Sequence, residues 1–435
     1  MTDSFDASPG PSDPPAPLPR HGSDPDPAAG LPDEAFALAL STLPGMWPAR
    51  LAALLRLRRV EPDLFGPDAA SDRRSATQGW ALVRSGRAAD DQVVARVLGP
   101  RADSSAIGAG WAAAARRTDV AGLWEAHRRA GVRVDVVGSP GYPARLAGDR
   151  MPPPVIFRAG PDPDLERPTV AMVGTRRCTP LGRDVAMEFG RALADAGVRV
   201  VSGLALGIDG AAHEGALQST VARPVAVIAG GADRPYPARH RRLWREVSSV
   251  GVLVSEWPLG TGSEGWHFPA RNRVIAAISD VVLVVESRST GGSMITADEA
   301  LRRDKPVLAV PGSIRNPAAA GTNRLLSDGA IPACDVADVI LALSMVRPDL
   351  PIGTTRRLCG GSHLATSPTG GVPAPTGDAA TVLDVVGWEP TAVDDVLRRC
   401  RMERSQAILH LAMLEMGGWI VGGAGWWQRA ARPPT

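Results

Sequence analysis

The chain has 435 residues, 44% of them hydrophobic and 22% charged, the proportions of a soluble protein with sizeable cores and a length that implies two or three domains. Of its 48 basic residues all but Lys305 are arginine, and Lys305 lies between Asp304 and Pro306, so no Gly-Lys-Ser/Thr phosphate loop exists and ATPases of that kind are excluded. A net charge of +2 announces no partner, and Cys178, Cys334, Cys359 and Cys400 form no Cys-x-x-Cys, which excludes zinc ribbons and dithiol redox motifs and suits a reducing compartment.

In chain order, residues 1–33 hold nine prolines and a net charge of −5 and read as a disordered acidic tail that is no signal peptide. A helix is expected from Asp33-Glu34 through Phe36, Leu38, Leu40 and Leu43. Pro44-Gly45 breaks it, and Leu51, Leu54 and Leu55 begin another. This helix, Pro-Gly, helix unit is similar to a small hairpin that binds DNA backbone and equally suits a packing module. Residues 34–125 are assigned to a helical domain, 126–345 to an α/β domain with its lead-in, 346–378 to a flexible Gly/Pro/Ser/Thr linker and 379–432 to a separate small module. No uncharged apolar run approaches the roughly 18 residues of a membrane span, so the expected location is cytoplasmic, with no membrane partner.

Six short β-branched runs, Thr169–Val173, Val198–Ser202, Val225–Ile228, Val252–Val254, Val281–Val285 and Val307–Val310, alternate with helical patterns such as the stripe Val185, Phe189, Leu193 and Ala196. Their apolar character on both faces predicts a doubly wound, mostly parallel sheet covered by helices on both sides, an extended Rossmann-like fold. Ligands in such a sheet sit beyond the carboxyl ends of the strands, and residues 169–331 carry 19 basic against 15 acidic residues, a mild positive excess.

Four strand ends run into loops that suit an anion. The first gives Gly174-Thr175-Arg176-Arg177, followed by Pro180-Leu181-Gly182 opening a helix; amides at a helix start favour phosphate and arginine matches it with a fork. The second gives Ser202-Gly203-Leu204-Ala205-Leu206-Gly207-Ile208-Asp209, with Asp209 a candidate cap for the next helix. After the fourth strand comes Phe268-Pro269-Ala270-Arg271-Asn272-Arg273, an aromatic beside two guanidiniums, the combination that stacks a base and holds phosphates of a single strand. The fifth leads to Gly291-Gly292-Ser293 at another helix start. Glycines of this kind also suit any tight turn between strand and helix. Gly-x-Gly-x-x-Gly is absent, so no dinucleotide cofactor is expected, and no metal site is expected either.

Val-Gly-Thr-Arg at 173–176, Ser-Gly-Leu-Ala-Leu-Gly-Ile-Asp at 202–209, Tyr-Pro at 236–237, Phe-Pro-Ala-Arg-Asn-Arg at 268–273, Gly-Gly-Ser-Met-Ile-Thr-Ala at 291–297, Val-Pro-Gly at 310–312 and Gly-Thr-Asn at 321–323 together resemble the DprA/Smf family of bacterial DNA-processing proteins. The lead-in Gly141-Tyr142-Pro143-Ala144-Arg145-Leu146, with Pro152-Pro153-Pro154 and Gly160, is similar as well. The resemblance covers roughly residues 34–343 and, more loosely, the C-terminal module.

It implies a non-enzymatic mediator that binds and shields incoming single-stranded DNA, helps load the RecA recombinase in natural transformation and recombination, and works as a homodimer. The DNA contacts it implies are Gly174, Thr175, Arg176, Ser202, Gly203, Phe268, Arg271, Asn272, Arg273, Gly292 and Ser293, with no catalytic residue. Lysine is missing where relatives vary between Lys and Arg, and Arg239, His240, Arg241 and Arg242 form a basic run whose partner the sequence does not name.

The C-terminal module resembles a winged helix: Thr391 caps a helix to Arg399, a second carries Ile408, Leu411 and Leu414, and Trp419-Ile420-Val421 and Trp426-Trp427-Gln428 flank a glycine-rich wing. Its second helix offers Arg404, Gln406 and His410 among Glu403 and Glu415, a footprint that favours protein contact or regulation over reading duplex DNA. The competing class is an enzyme, a nucleotide phosphoribohydrolase of related fold, for which Thr290-Gly291-Gly292-Ser293-Met294 with Glu286 and Glu299 are the candidate elements.

Overall fold

The structure, a computed structural model, describes residues 30–57, 73–161, 164–348, 375–388, 390–423 and 426–430. Most of the expected acidic tail (1–29) and of the expected linker (349–374) lies outside the described residues.

Among the described residues from Asp33 to Arg129 the elements are helices: Asp33–Ser41, Pro48–Leu54, Ala76–Arg84, Gln92–Leu98, Arg101–Arg117 and Val120–Arg129, with one short 3-10 turn. The Asp33 carboxylate does more than open the first of them. It accepts from the Ala76 and Thr77 amides (2.9 and 2.8 Å) and so caps the start of the helix Ala76–Arg84. Asp91 caps Gln92–Leu98 through the Val93 and Val94 amides (3.0 and 3.2 Å) while paired with Arg56 and Arg74.

These helices bury Leu38, Leu40, Leu54, Leu55 and Trp111 in one core with Val132, Val134, Val136, Val155 and Phe157. The last five lie on β1 (Val132–Val136) and β2 (Val155–Ala159). The helical segment therefore covers an edge of the sheet.

The sheet has nine strands in the order β1-β2-β6-β5-β4-β3-β7-β8-β9. The further strands are β3 (Thr169–Gly174), β4 (Arg199–Ser202), β5 (Val225–Val227), β6 (Val252–Ser255), β7 (Val281–Glu286), β8 (Val307–Ala309) and β9 (Ile331–Pro332). All neighbours from β6 to β9 are parallel, whereas β1 and β2 add antiparallel pairs at one edge.

The six runs of β-branched residues thus form the parallel strands β3 to β8, buried except at Gly174 where β3 ends. Chain order runs outward from β3 to β6 on one side and from β7 to β9 on the other. The switch point lies between β3 and β7, where a crevice opens at the carboxyl ends of the strands.

Two anchors brace the opposite end of the sheet. Arg145 donates to the Thr169 hydroxyl (2.7 Å) and the Ile278 carbonyl (2.8 Å) and pairs with Asp280 (2.7 Å), with both side chains buried. Lys305 donates through Nζ to the carbonyls of Ala276, Ala277 and Ser279 (2.8, 2.6 and 2.6 Å) and caps the C-terminus of the helix His267–Ile278.

At the C-terminal end, the helices Asp378–Val385, Val393–Cys400 and Arg404–Met416 pack with a three-stranded sheet, β10 (Thr391–Ala392), β12 (Trp426–Arg429) and β11 (Ile420–Gly423). Val382, Val396, Leu411, Leu414 and Ile420 form their core, a winged-helix arrangement. Thr391 falls on the short strand instead of the cap, which is Ala392.

Candidate nucleic-acid interface

The first loop is fixed from β7. The Thr175 amide donates to the Glu286 carbonyl (2.7 Å), and the Glu286 carboxylate accepts from the Thr179 amide (2.8 Å) and hydroxyl (2.9 Å) at the start of the helix Pro180–Asp195. A side chain at Gly174 would collide with Ile208 Cγ1 (2.5 Å) and the Glu286 carbonyl (2.7 Å), so only glycine lets the chain turn there. The turn leaves Arg176 exposed, with its guanidinium over the Phe268 ring at 5.0 Å. Phe268 meets Tyr236 on another side, with ring centroids 5.3 Å apart. Cation, ring and ring pack in series, with 48° between the two ring planes.

The second loop is held from below. Asp209 does not cap its own helix, Ile208–Ala216, whose cap is Gly207; as the second residue of that helix it points back, and its carboxylate accepts from the Gly203 amide (3.1 Å). Burial raises the Asp209 carboxyl, and Arg271 together with the Gly203 and Ala205 amides opposes that rise. Arg271, 4% exposed, donates to the Val227 carbonyl (2.7 Å), and its buried Nε has no hydrogen-bond partner. Burial draws its guanidinium down to about 10.

A groove of about 260 Å³ runs across the switch point, lined among others by Gly174, Thr175, Arg176, Phe268, Arg271 and Asn272 and closed by Gly292 and Ser293. Asn272 donates to the Gly292 carbonyl (3.2 Å), and the Ser293 hydroxyl to that of Ser287 (2.8 Å), which fixes the start of the helix Gly292–Leu301 at the edge of the groove. A smaller pocket of about 50 Å³ adjoins it at Phe268 and is lined by Gly203, Tyr236, Pro237, Trp244 and Arg271 among others.

Nine of the eleven expected contact residues therefore line this pair of cavities. The other two lie elsewhere. Ser202 is fully buried and donates to the Met172 carbonyl (2.6 Å) inside the sheet. Arg273 points to the far side of its helix, where it pairs with the buried Glu256 and donates to the Met151 carbonyl (2.8 Å); residues two apart on a helix do not share a face. Tyr236, absent from the sequence-based set of contacts, lines the smaller pocket; the Tyr-Pro of the resemblance was the available signal.

The carboxylates of the competing enzyme reading are both engaged. Glu286 is spent on Thr179, and Glu299 pairs with Arg302 (2.8 Å) and Arg303. Among the described residues no three His, Cys, Asp or Glu side chains group as a metal site would require, and no helix is long and apolar enough to cross a membrane.

A doubly wound α/β sheet with an arginine- and glycine-lined groove at its switch point, a helical cover on one edge and a C-terminal winged helix defines a Rossmann-like protein whose groove suits an anionic ligand. Comparison with known proteins gives the family. The model for DNA recombination-mediator protein A matches residues 133–344 and that for the DprA winged helix domain matches 366–425. Protein Smf of Escherichia coli (strain K12) is 34% identical over 292 residues, which cover 67% of this chain and 75% of that protein. DNA processing protein DprA of Bacillus subtilis (strain 168) is 36% identical over 215 residues, 49% of this chain and 72% of that protein. The X-ray structure of DNA processing protein A from Streptococcus pneumoniae superposes with a TM-score of 0.55 at 27% identity, covering 72% of this chain and 98% of that one. The chain belongs to the DprA/Smf family of DNA-processing proteins.

Proposed function

We propose that this chain is a non-enzymatic mediator that holds single-stranded DNA in the switch-point groove. The Arg176 guanidinium 5.0 Å from the Phe268 ring, with both residues lining the groove, carries this reading: the cation meets a phosphate while the ring offers a base its face. The amides of the Gly292 helix start add a second anion site. Little in the groove reads base edges, so sequence preference is weak. Membership of the DprA/Smf family supports a task in DNA processing. The finer reading is that the chain acts in the cytoplasm as a homodimer, shields incoming strands and hands them to the RecA recombinase during transformation or recombination. The engagement of Glu286 and Glu299 weighs against nucleotide hydrolysis.

The test is fluorescence anisotropy of the purified protein with a labelled oligonucleotide and with its duplex across a salt series. Binding that favours the single strand and weakens steeply with salt supports the groove. Binding to neither, or to duplex alone through the winged helix, overturns it and brings nucleotide turnover forward as the assay to run.

A further inference from the structure

Resting on the single-stranded DNA reading above, we propose that the outward arginine face of residues 239–245 is a second phosphate-binding segment, along which the strand continues once it has passed Tyr236. The helix Arg241–Val250 divides cleanly. Leu243, Trp244 and Val247 are buried, and Trp244 both donates to the Ala232 carbonyl (3.2 Å) and lines the smaller pocket at Phe268. Its other side presents Arg241, Arg242 and Arg245, preceded by Arg239, all exposed. Arg245 lies one turn from Arg241 and three residues from Arg242, so the three share one face.

Between residues 233 and 246 five arginines stand against Asp233 and Glu246. The Arg242–Glu246 contact (3.5 Å) joins two exposed side chains and is easily exchanged for a phosphate.

The segment is tied to the groove at two points. His240 Nδ1 donates to the Leu204 carbonyl (3.0 Å) in the second loop, seated against Gly210, where a side-chain carbon would lie 2.4 Å from its ring. Tyr236, three residues earlier than Arg239, packs on Phe268. A strand that stacks on Phe268 and Tyr236 is thus delivered onto the arginines. Residues 239–245 span about 9 Å, room for two or three phosphates at about 3.4 Å per nucleotide of a stacked strand. An arginine face of that length, three residues on from the Tyr236–Phe268 pair, fits a phosphodiester chain.

The experiment compares the wild type with the triple substitution Arg241→Gln, Arg242→Gln, Arg245→Gln, using oligothymidines of about 6 and about 20 nucleotides, below and above what one groove engages. The short strand should bind both proteins alike. The long strand should bind the variant roughly tenfold or more weakly, with a salt slope shallower by about 2, since each lost contact removes about 0.7. Unchanged binding of the long strand, an equal loss at both lengths, or the same loss from Arg128→Gln, Arg129→Gln, Arg191→Gln overturns the track. In the first case the arginines serve an acidic protein or nothing. Wild-type protein that binds neither length overturns the groove reading together with the track. Binding that is lost in Arg176→Ala but untouched in the triple variant overturns the track alone.

Discussion

Arg271 lies so close beneath Gly203 that a side-chain carbon on the glycine would come within 1.6 Å of the arginine's Nη1 and 2.3 Å of its Cζ. The arginine has no room to retreat, since it is buried and its Nη1 is held by the Val227 carbonyl. Gly203→Ala therefore displaces either the loop or the guanidinium, an overpacking cost of about 1–3 kcal/mol. A lowered melting temperature together with at least tenfold weaker binding of single-stranded DNA is expected. A variant with wild-type melting and affinity would show that the loop relaxes freely.

Arg176 and Arg271 are expected to separate binding from folding. Arg176 is exposed and stacks on Phe268, so Arg176→Ala should cost affinity tenfold or more and leave the melting temperature within a degree or two. Arg271→Ala should lower both, because it empties a buried site and leaves the Val227 carbonyl unpartnered. Arg404→Ala, on the winged helix, should change neither. Anisotropy and thermal melting on the same samples check all three.

Arg273 should behave as a structural residue. Its partner Glu256 has a side chain only 2% exposed, and burial already pushes that carboxyl up against the pull of Arg273. Removing the arginine leaves a buried carboxylate uncompensated, a loss of about 3–5 kcal/mol. Arg273→Met should lower the urea midpoint sharply, and Arg273→Met with Glu256→Gln should recover much of it. Affinity for the oligonucleotide, measured where the variants are folded, should match the wild type; a selective loss of affinity would place Arg273 on the DNA.

Acid should loosen the helical segment through Asp91. Burial alone would raise its carboxyl, but hydrogen bonds from Arg74, Arg56 and the Val94 amide outweigh it and the group ends below its ordinary 3.8. A folded value below the unfolded one means that the stabilisation is complete above about pH 4 and is lost as pH falls through the folded value. Asp91→Asn should cost about 2 kcal/mol at neutral pH, and urea midpoints of variant and wild type should converge toward pH 3. Curves that stay parallel would exclude Asp91 as the source.

Lys305 should resist replacement by arginine. A tetrahedral ammonium aims three donors at the carbonyls of Ala276, Ala277 and Ser279, a geometry that a planar fork does not reproduce. Lys305→Arg and Lys305→Met should both lower the melting temperature, by an amount corresponding to about 1–3 kcal/mol. An unshifted melt in either variant would reduce the cap to a surface contact.

The central strands were legible because β3 to β8 are apolar on both faces. β1 and β2 were not: Arg133, Asp135 and Arg158 interrupt their patterns, and only the fold shows that Asp135 and Arg158 satisfy each other (2.8 Å) in the interior. The groove was legible at Arg176, Phe268 and Gly292 because loops at strand ends converge wherever a parallel sheet is wound. Its limits were set by phase. Ser202 is the last residue of β4 and turns inward, and Arg273 is two helical positions beyond Arg271. Neither direction is visible in a motif. Tyr236 joins the site across 31 intervening residues, a distance that no local pattern spans.

The chain's one lysine, spent on three carbonyls at the far end of the sheet from the groove, leaves guanidiniums as the side-chain cations at the groove. Acylation of side-chain amines, a common way to lower the grip of a basic surface, has nothing to act on at this interface. Release is left to competing anions or to a covering partner.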